Sequence, residues 1–165
     1  MVPVNQVADY IVVKMEEGRV PLNLLKLQKL LYYIQAWSLA TEGRGIFKER
    51  FQAWVHGPVC RTIYDRFKDT HSLYNSVDVD KAMRESASAL PKDIVTHIDE
   101  VLEAYAGFTG TQLEAMTHRE SPWVTARGSL APAERCEVEI DEGLMANYYS
   151  KLLQDAEAEE LKARM

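Results

Sequence analysis

The side chains best suited to chemistry lie in Trp54-Val55-His56-Gly57-Pro58-Val59-Cys60, where a histidine and a cysteine stand four residues apart around a Gly-Pro pair. A thiolate beside a base is the core of a nucleophilic enzyme, and the same two residue types at close spacing can ligate zinc. A thiol enzyme also needs a group that orients the base. Here Cys60 falls within a helical pattern next to the apolar Val59, no Asn or Asp is marked as the orienting partner, and no glycine-rich oxyanion loop follows. Structural zinc commonly uses two close-spaced ligand pairs. His71, His97, His118 and Cys136 are scattered and form no second pair. The nucleotide, dinucleotide and zinc-protease patterns are missing. Carboxylates sit on acidic helical surfaces, not in apolar settings that would tune them for proton transfer. These residues predict no catalytic, metal or cofactor site, and the chain reads as a non-enzyme.

A second stretch, Thr117-His118-Arg119-Glu120-Ser121-Pro122-Trp123, brings a histidine at a helix end close to a tryptophan in the next first turn. It could anchor a partner through its aromatic ring. The residues favour the structural alternative, with Trp123 in the core and His118 satisfying nearby backbone. Trp37 and Trp54 read as core by the same reasoning.

The elements that position these residues are mostly helical. Val4, Val7, Tyr10/Ile11 and Met15 keep helical period over residues 4–17, with Gly18 as the stop. Pro21 and Asn23 open a stronger segment, LLKLQKLLYYIQAWSLATEG, with two apolar stripes that leave Lys26, Lys29 and Tyr33 as its polar edge. A helix apolar nearly all round belongs at the centre of a fold or under a partner. Gly43 and Gly45 end it. Residues 46–56 predict one short strand or a small hairpin. Gly57-Pro58 then predicts the start of a helix of about ten residues, because proline suits the first turn. Residues 69–90 predict a long connection holding one short element. Pro91 opens a further helix, closed by Gly107. Thr111-Gln112-Leu113-Glu114 has the form of a capping box. Ser121-Pro122 starts another helix, residues 128–137 form a loop, and Asp141 caps the last helix, whose tail is expected to fray. The fold class expected is mainly α, a compact helical domain around a central apolar helix with a minor strand or hairpin. One domain is expected over residues 1–165, with its core in 5–150 and an acidic helical tail in 151–165.

Composition narrows the partners. The chain has 165 residues, 47% hydrophobic and 27% charged, the profile of a globular protein with a sizeable core. No run approaches the ~18 apolar residues of a membrane span, and the N-terminal stretch has no basic leader. Two cysteines are too few for a disulfide framework, so a reducing cytoplasm is expected. Residues 1–80 carry ten basic against nine acidic residues, whereas 81–165 carry nine against sixteen. Such a balance disfavours nucleic acid, which needs clustered positive charge, and suits a protein partner.

Three blocks in fixed order carry a resemblance: Lys26–Trp37 (KLQKLLYYIQAW), Phe51–Val59 (FQAWVHGPV) followed by IYDRF, and Leu113–Trp123 (LEAMTHRESPW). Together they resemble the Panacea domain, the SocA-like, phage-associated antitoxin family, over roughly residues 5–150. The resemblance implies an antitoxin without enzymatic activity or cofactor that neutralises a cognate protein toxin by binding it, or hands it as a proteolytic adaptor to a AAA+ protease such as ClpXP. It also implies structural roles for Trp37, Gly57, Pro58, Val59, Tyr64, His118, Pro122 and Trp123. His56 stands where other members often carry an aromatic residue, and Cys60 matches no required position, which makes the His56–Cys60 stretch a structural turn. Some members carry an N-terminal DNA-binding module. This chain begins almost at once with the Panacea-like helices, so no such module is expected. The partner-binding surface is expected at Lys29, Tyr32 and Tyr33 on the central helix, together with Trp54; the acidic last helix is a second candidate. The competing expectation is a DNA-binding regulator of its own operon that uses the helix Arg61–Lys68.

Overall fold

The computed structural model describes every residue from Met1 to Met165. Eight helices surround one two-stranded antiparallel hairpin. In chain order these are α1 (Val4–Glu17), α2 (Leu24–Glu42), β1 (Phe51–Trp54), β2 (Gly57–Cys60), α3 (Arg61–Phe67), α4 (Lys81–Ser88), α5 (Lys92–Tyr105), α6 (Gly110–Thr117), α7 (Ser121–Arg127) and α8 (Glu142–Ala163). The fold is therefore mainly α with a minor hairpin.

The α2 helix is the axis of the molecule, and it packs against α1, α5, α6, α8 and β2. Fifteen of its nineteen residues are buried, so no side of it serves as a solvent face. Asn23 caps its start by accepting from the Lys26 N–H, and Gly43 ends it in the left-handed region at φ 73°. The expected polar edge does not exist: Lys26, Lys29 and Tyr33 are all buried. Each finds a partner inside. Lys26 Nζ donates to the Ala106 carbonyl at the end of α5 (2.7 Å), Lys29 Nζ to the Pro58 carbonyl (3.0 Å), and Tyr33 Oη to Glu120 Oε1 (2.7 Å).

The glutamines of α2 act in the same way. The Gln35 amide accepts from the Ile46 N–H at 2.8 Å and donates to the Phe47 carbonyl at 2.8 Å. Gln28 Oε1 accepts from the Cys60 N–H at 2.9 Å, and its Nε2 donates to the Cys60 carbonyl at 3.1 Å. An isolated hairpin is marginal in water. Here its outer edge finds a substitute strand in helix side chains. The other edge is closed by the chain after the loop, where Ala53 N–H donates to Val138 O (2.8 Å) and Ile140 N–H to Phe51 O (2.7 Å).

Three further sequence expectations need correction. Gly57-Pro58 does not open a helix; residues 57–60 form β2, in register with β1 as Ala53 opposite Pro58, and α3 begins only at Arg61. Gly57 turns the chain at φ 98°, and the bonds from Gln28 and Lys29 hold Pro58, Val59 and Cys60 extended. The capping box of α6 is formed by Thr109 and Gln112, two residues earlier than the Thr111–Glu114 pattern. Finally, the tail does not fray: α8 continues to Ala163, although every residue from Lys151 onward is exposed. Strong helix formers and ion pairs at i,i+4, Lys151–Asp155 and Glu160–Arg164, support that projecting length.

Because Gln35 satisfies buried backbone on both sides of the Ile46–Phe47 peptide, Gln35→Leu is expected to cost about 1–3 kcal/mol. Urea unfolding of the variant, read by circular dichroism, measures it.

Candidate functional site

The turn Trp54–Gly57 is the part of the hairpin that reaches the surface, and it is gripped from two sides. From α2, Gln28 and Lys29 hold β2 by its backbone. From α7, Arg127 Nη1 donates to Ala53 O at 2.9 Å, and Trp123 Nε1 donates to Trp54 O at 2.9 Å. The Trp123 ring lies between two other groups. His118 stacks on it with centroids 4.1 Å apart, and the Arg127 guanidinium lies 4.9 Å from its centroid. Arg127 Nη2 also donates to the carbonyls of Ala131, Pro132 and Glu134, so the same side chain fixes the following loop.

Gly57 has no alternative at its position. A Cβ there would lie 2.5 Å from Lys29 Cε and 2.9 Å from Thr117 Oγ1, at a φ that side chains resist. Pro58 and Val59 are buried with it, and so are Pro122 and Trp123. Tyr64 and Trp37 are half-buried; Trp37 Nε1 donates to Tyr105 Oη at 2.9 Å.

The His56–Cys60 pair is not a catalytic dyad. His56 is exposed and pairs with Glu114 at 3.1 Å. Cys60 is fully buried, and burial pushes its thiol up, away from the reactive thiolate.

Of the four residues expected at a partner surface, three are interior. Lys29 and Tyr33 have no exposed area and Tyr32 has 1%. They cannot contact a partner in this fold. Tyr33 and Tyr149 both donate to Glu120 Oε1 (2.7 and 2.8 Å), and Tyr32 packs edge-on against Tyr33, Phe51 and Tyr149. Burial pushes the Glu120 carboxyl up, against the pull of these two hydroxyls. Trp54 is the one of the four that reaches solvent. Its ring packs at 4.8 Å against Tyr64, and the Arg61 guanidinium lies 5.7 Å from its centroid.

Beneath this ring opens a slot of about 270 Å³, walled by Leu24, Val59, Tyr64, Leu73 and Cys136 and bordered by His56, Arg135 and Glu137. Neither the slot nor the clamping residues Gln28, Gln35, Glu120 and Arg127 were visible to the pattern reading. Gln28 and Gln35 carry one sequence signal, a glutamine recurring seven residues apart in a run apolar nearly all round; Glu120 and Arg127 carry none.

A family profile described as "Antitoxin SocA-like, Panacea domain" matches residues 27–124, from the first turn of α2 into α7. The chain belongs to this family. The Antitoxin SocA of Caulobacter vibrioides (strain NA1000 / CB15N) is 30% identical over 138 residues, covering 77% of this chain and 72% of the relative. No solved structure matches the chain. The three blocks of the Panacea domain thus meet in space: α2, the hairpin, and the α6–α7 corner form a single clamp.

The DNA-binding alternative fares poorly on α3. Arg61 pairs with Asp65 and Glu137, Arg66 with Asp9, and Lys68 with Asp65. These neighbouring carboxylates offset the positive charge of α3, and binding nucleic acid needs clustered net positive charge to neutralise phosphates. No helix is long and apolar enough to cross a membrane.

Lys29 gives the fold a distinct pH dependence. Burial lowers its ammonium from 10.5 to about 7, partly opposed by the Glu114 carboxylate. Between those values the unfolded chain binds more protons than the folded one, so stability rises with pH. Above about 10 the trend reverses, because burial pushes Tyr32, Tyr33 and Tyr149 above the ordinary tyrosine value of 10.0. Denaturation midpoints are expected to climb from about pH 7 to about pH 9, and Lys29→Met is expected to lose most of that climb.

Proposed function

We propose that this chain neutralises a cognate protein toxin by binding it directly, with the Trp54–Gly57 turn as the centre of the contact. Membership of the antitoxin family supports a toxin as the partner. One observation carries the choice of surface. The turn is immobilised through its backbone, while Trp54, Val55 and His56 project outward from it, half-buried or exposed. A rigid aromatic on a fixed frame loses little freedom on binding, and such residues dominate interface energetics.

Proteolytic delivery is the route that the rest of the fold favours. The last part of α8, from Lys151, projects from the body with both ion pairs turned to solvent. It is a second surface, separate from the turn, on which a AAA+ protease could be engaged while toxin occupies the first. An acidic chain with its α3 cations paired favours these protein contacts over operator DNA.

Co-expression with the toxic product of the neighbouring gene tests the proposal. Rescue of growth and co-purification are expected for the wild type. Trp54→Ala is expected to weaken the complex about 30-fold or more while remaining folded. Rescue lost in a protease-deficient strain identifies delivery; rescue retained there identifies sequestration and removes the role assigned to α8. Toxicity unrelieved by the wild-type chain refutes the antitoxin proposal. An operator titration in low salt that shows tight, steeply salt-dependent binding would support the regulator instead.

A further inference from the structure

We propose that the slot beside Trp54 receives one aliphatic or aromatic side chain of the bound toxin, carried on a segment that sets a carboxylate against Arg135. The inference rests on the reading of this chain as a toxin-binding protein and identifies what its binding face accepts.

Size bounds the guest. At about 270 Å³ the slot is at the small end of the ~300–1,000 Å³ usual for small-molecule and cofactor sites. It has room for one large side chain. Its walls decide the polarity. They come from separate parts of the chain, with Leu24 on α2, Trp54 and Val59 on the hairpin, Tyr64 on α3, and Leu73 and Cys136 on loops. Gln28, the polar residue that α2 contributes, already has both amide atoms engaged with the Cys60 backbone. A polar guest would leave its own groups unpaired against such walls, whereas an apolar one gains from leaving water.

The mouth decides the company that guest keeps. Arg61 and Arg135 share one carboxylate, at 3.3 and 3.9 Å from the same Glu137 oxygen. Arg61 has a further partner in Asp65 at 3.7 Å, and His56 is paired with Glu114. Arg135 has Glu137 alone, at the long distance, and is 90% exposed. A surface pair of this kind is worth little. Its guanidinium is free to take a second carboxylate, in the forked geometry that arginine favours. Apolar slot and spare cation together complement an apolar side chain with an acidic neighbour. The slot also stands ready-made, since the clamp that fixes the turn fixes two of its walls.

The test uses the full chain, the cognate toxin, and N-acetyl-phenylalanine as a probe that carries one apolar side chain and one carboxylate. In nuclear magnetic resonance titrations the acid is expected to shift signals of Leu73, Cys136 and the Trp54 indole, and its neutral amide to bind several-fold more weakly. Two variants separate slot from mouth. Leu73→Trp fills the slot, and Arg135→Glu reverses the charge at a fully hydrated position where folding is not at stake. Calorimetry with toxin is expected to show a loss of about 30-fold for the first and roughly tenfold, shrinking as salt rises, for the second. Toxin bound by both variants as tightly as by the wild type overturns the slot while leaving the toxin-binding reading intact. Probe shifts that fall elsewhere, or none at the probe's solubility limit, overturn it as well. A wild-type chain that takes up the probe but neither binds nor neutralises the toxin overturns the reading on which the inference rests.

Discussion

Everything in this fold leans on hydrogen bonds from the side chains of one buried helix to the backbone of the segment after it. A helix satisfies its own peptide groups, whereas within residues 46–60 the inward-facing groups at the buried Ile46, Phe47, Pro58 and Cys60 turn to α2. Gln35, Gln28 and Lys29 occupy one side of α2 and supply the missing partners. Leaving such groups unpaired is expensive, so the segment has one low-energy path across the helix. The hairpin, the start of α3, and the loop held by Arg127 all take their positions from that path.

The cost of this arrangement is polarity inside the core. Lys29 is buried as a base whose proton is loosely held near neutral pH. Glu120 is buried beneath two tyrosine hydroxyls, and these attach α8 to α2 and α7. Each of these groups has a directional partner, the Pro58 carbonyl for Lys29 and two tyrosine hydroxyls for Glu120, which an apolar side chain would not engage.

The sequence was legible where burial and hydrophobicity coincide. The α2 helix announced itself, and so did α1, α5 and α7 through their periodicity and their Pro, Gly and Asn boundaries. It was misleading where polar residues work inside. Lys29 and Tyr33 read as a polar edge because charge and hydroxyl normally mean solvent, and Tyr32 as part of a second apolar face open to a partner; here each has an internal partner that no periodicity can reveal. The delayed start of α3 has the same origin: Pro58 is a good first-turn residue, but strand pairing and the Gln28 bonds outcompete that preference. Thr111 looked like a cap, whereas Thr109, followed three residues later by Gln112, makes the actual box. The enclosing of the slot depends on Leu73 and Cys136 arriving from distant loops, and that is a property of tertiary packing alone.

The way the turn is held has an evolutionary consequence. Its supports grip carbonyls and amides, and these are the same whatever side chains the tip carries. With the toxin contact placed at this turn, as proposed, framework and recognition are decoupled. Exchange of Trp54, Val55 or His56 leaves the backbone bonds from Lys29, Trp123 and Arg127 in place, and gives up the packing of Trp54 on Tyr64 and the His56–Glu114 pair. On that placement a change of toxin needs new side chains at three positions, while the bonds that shape the turn stay the same.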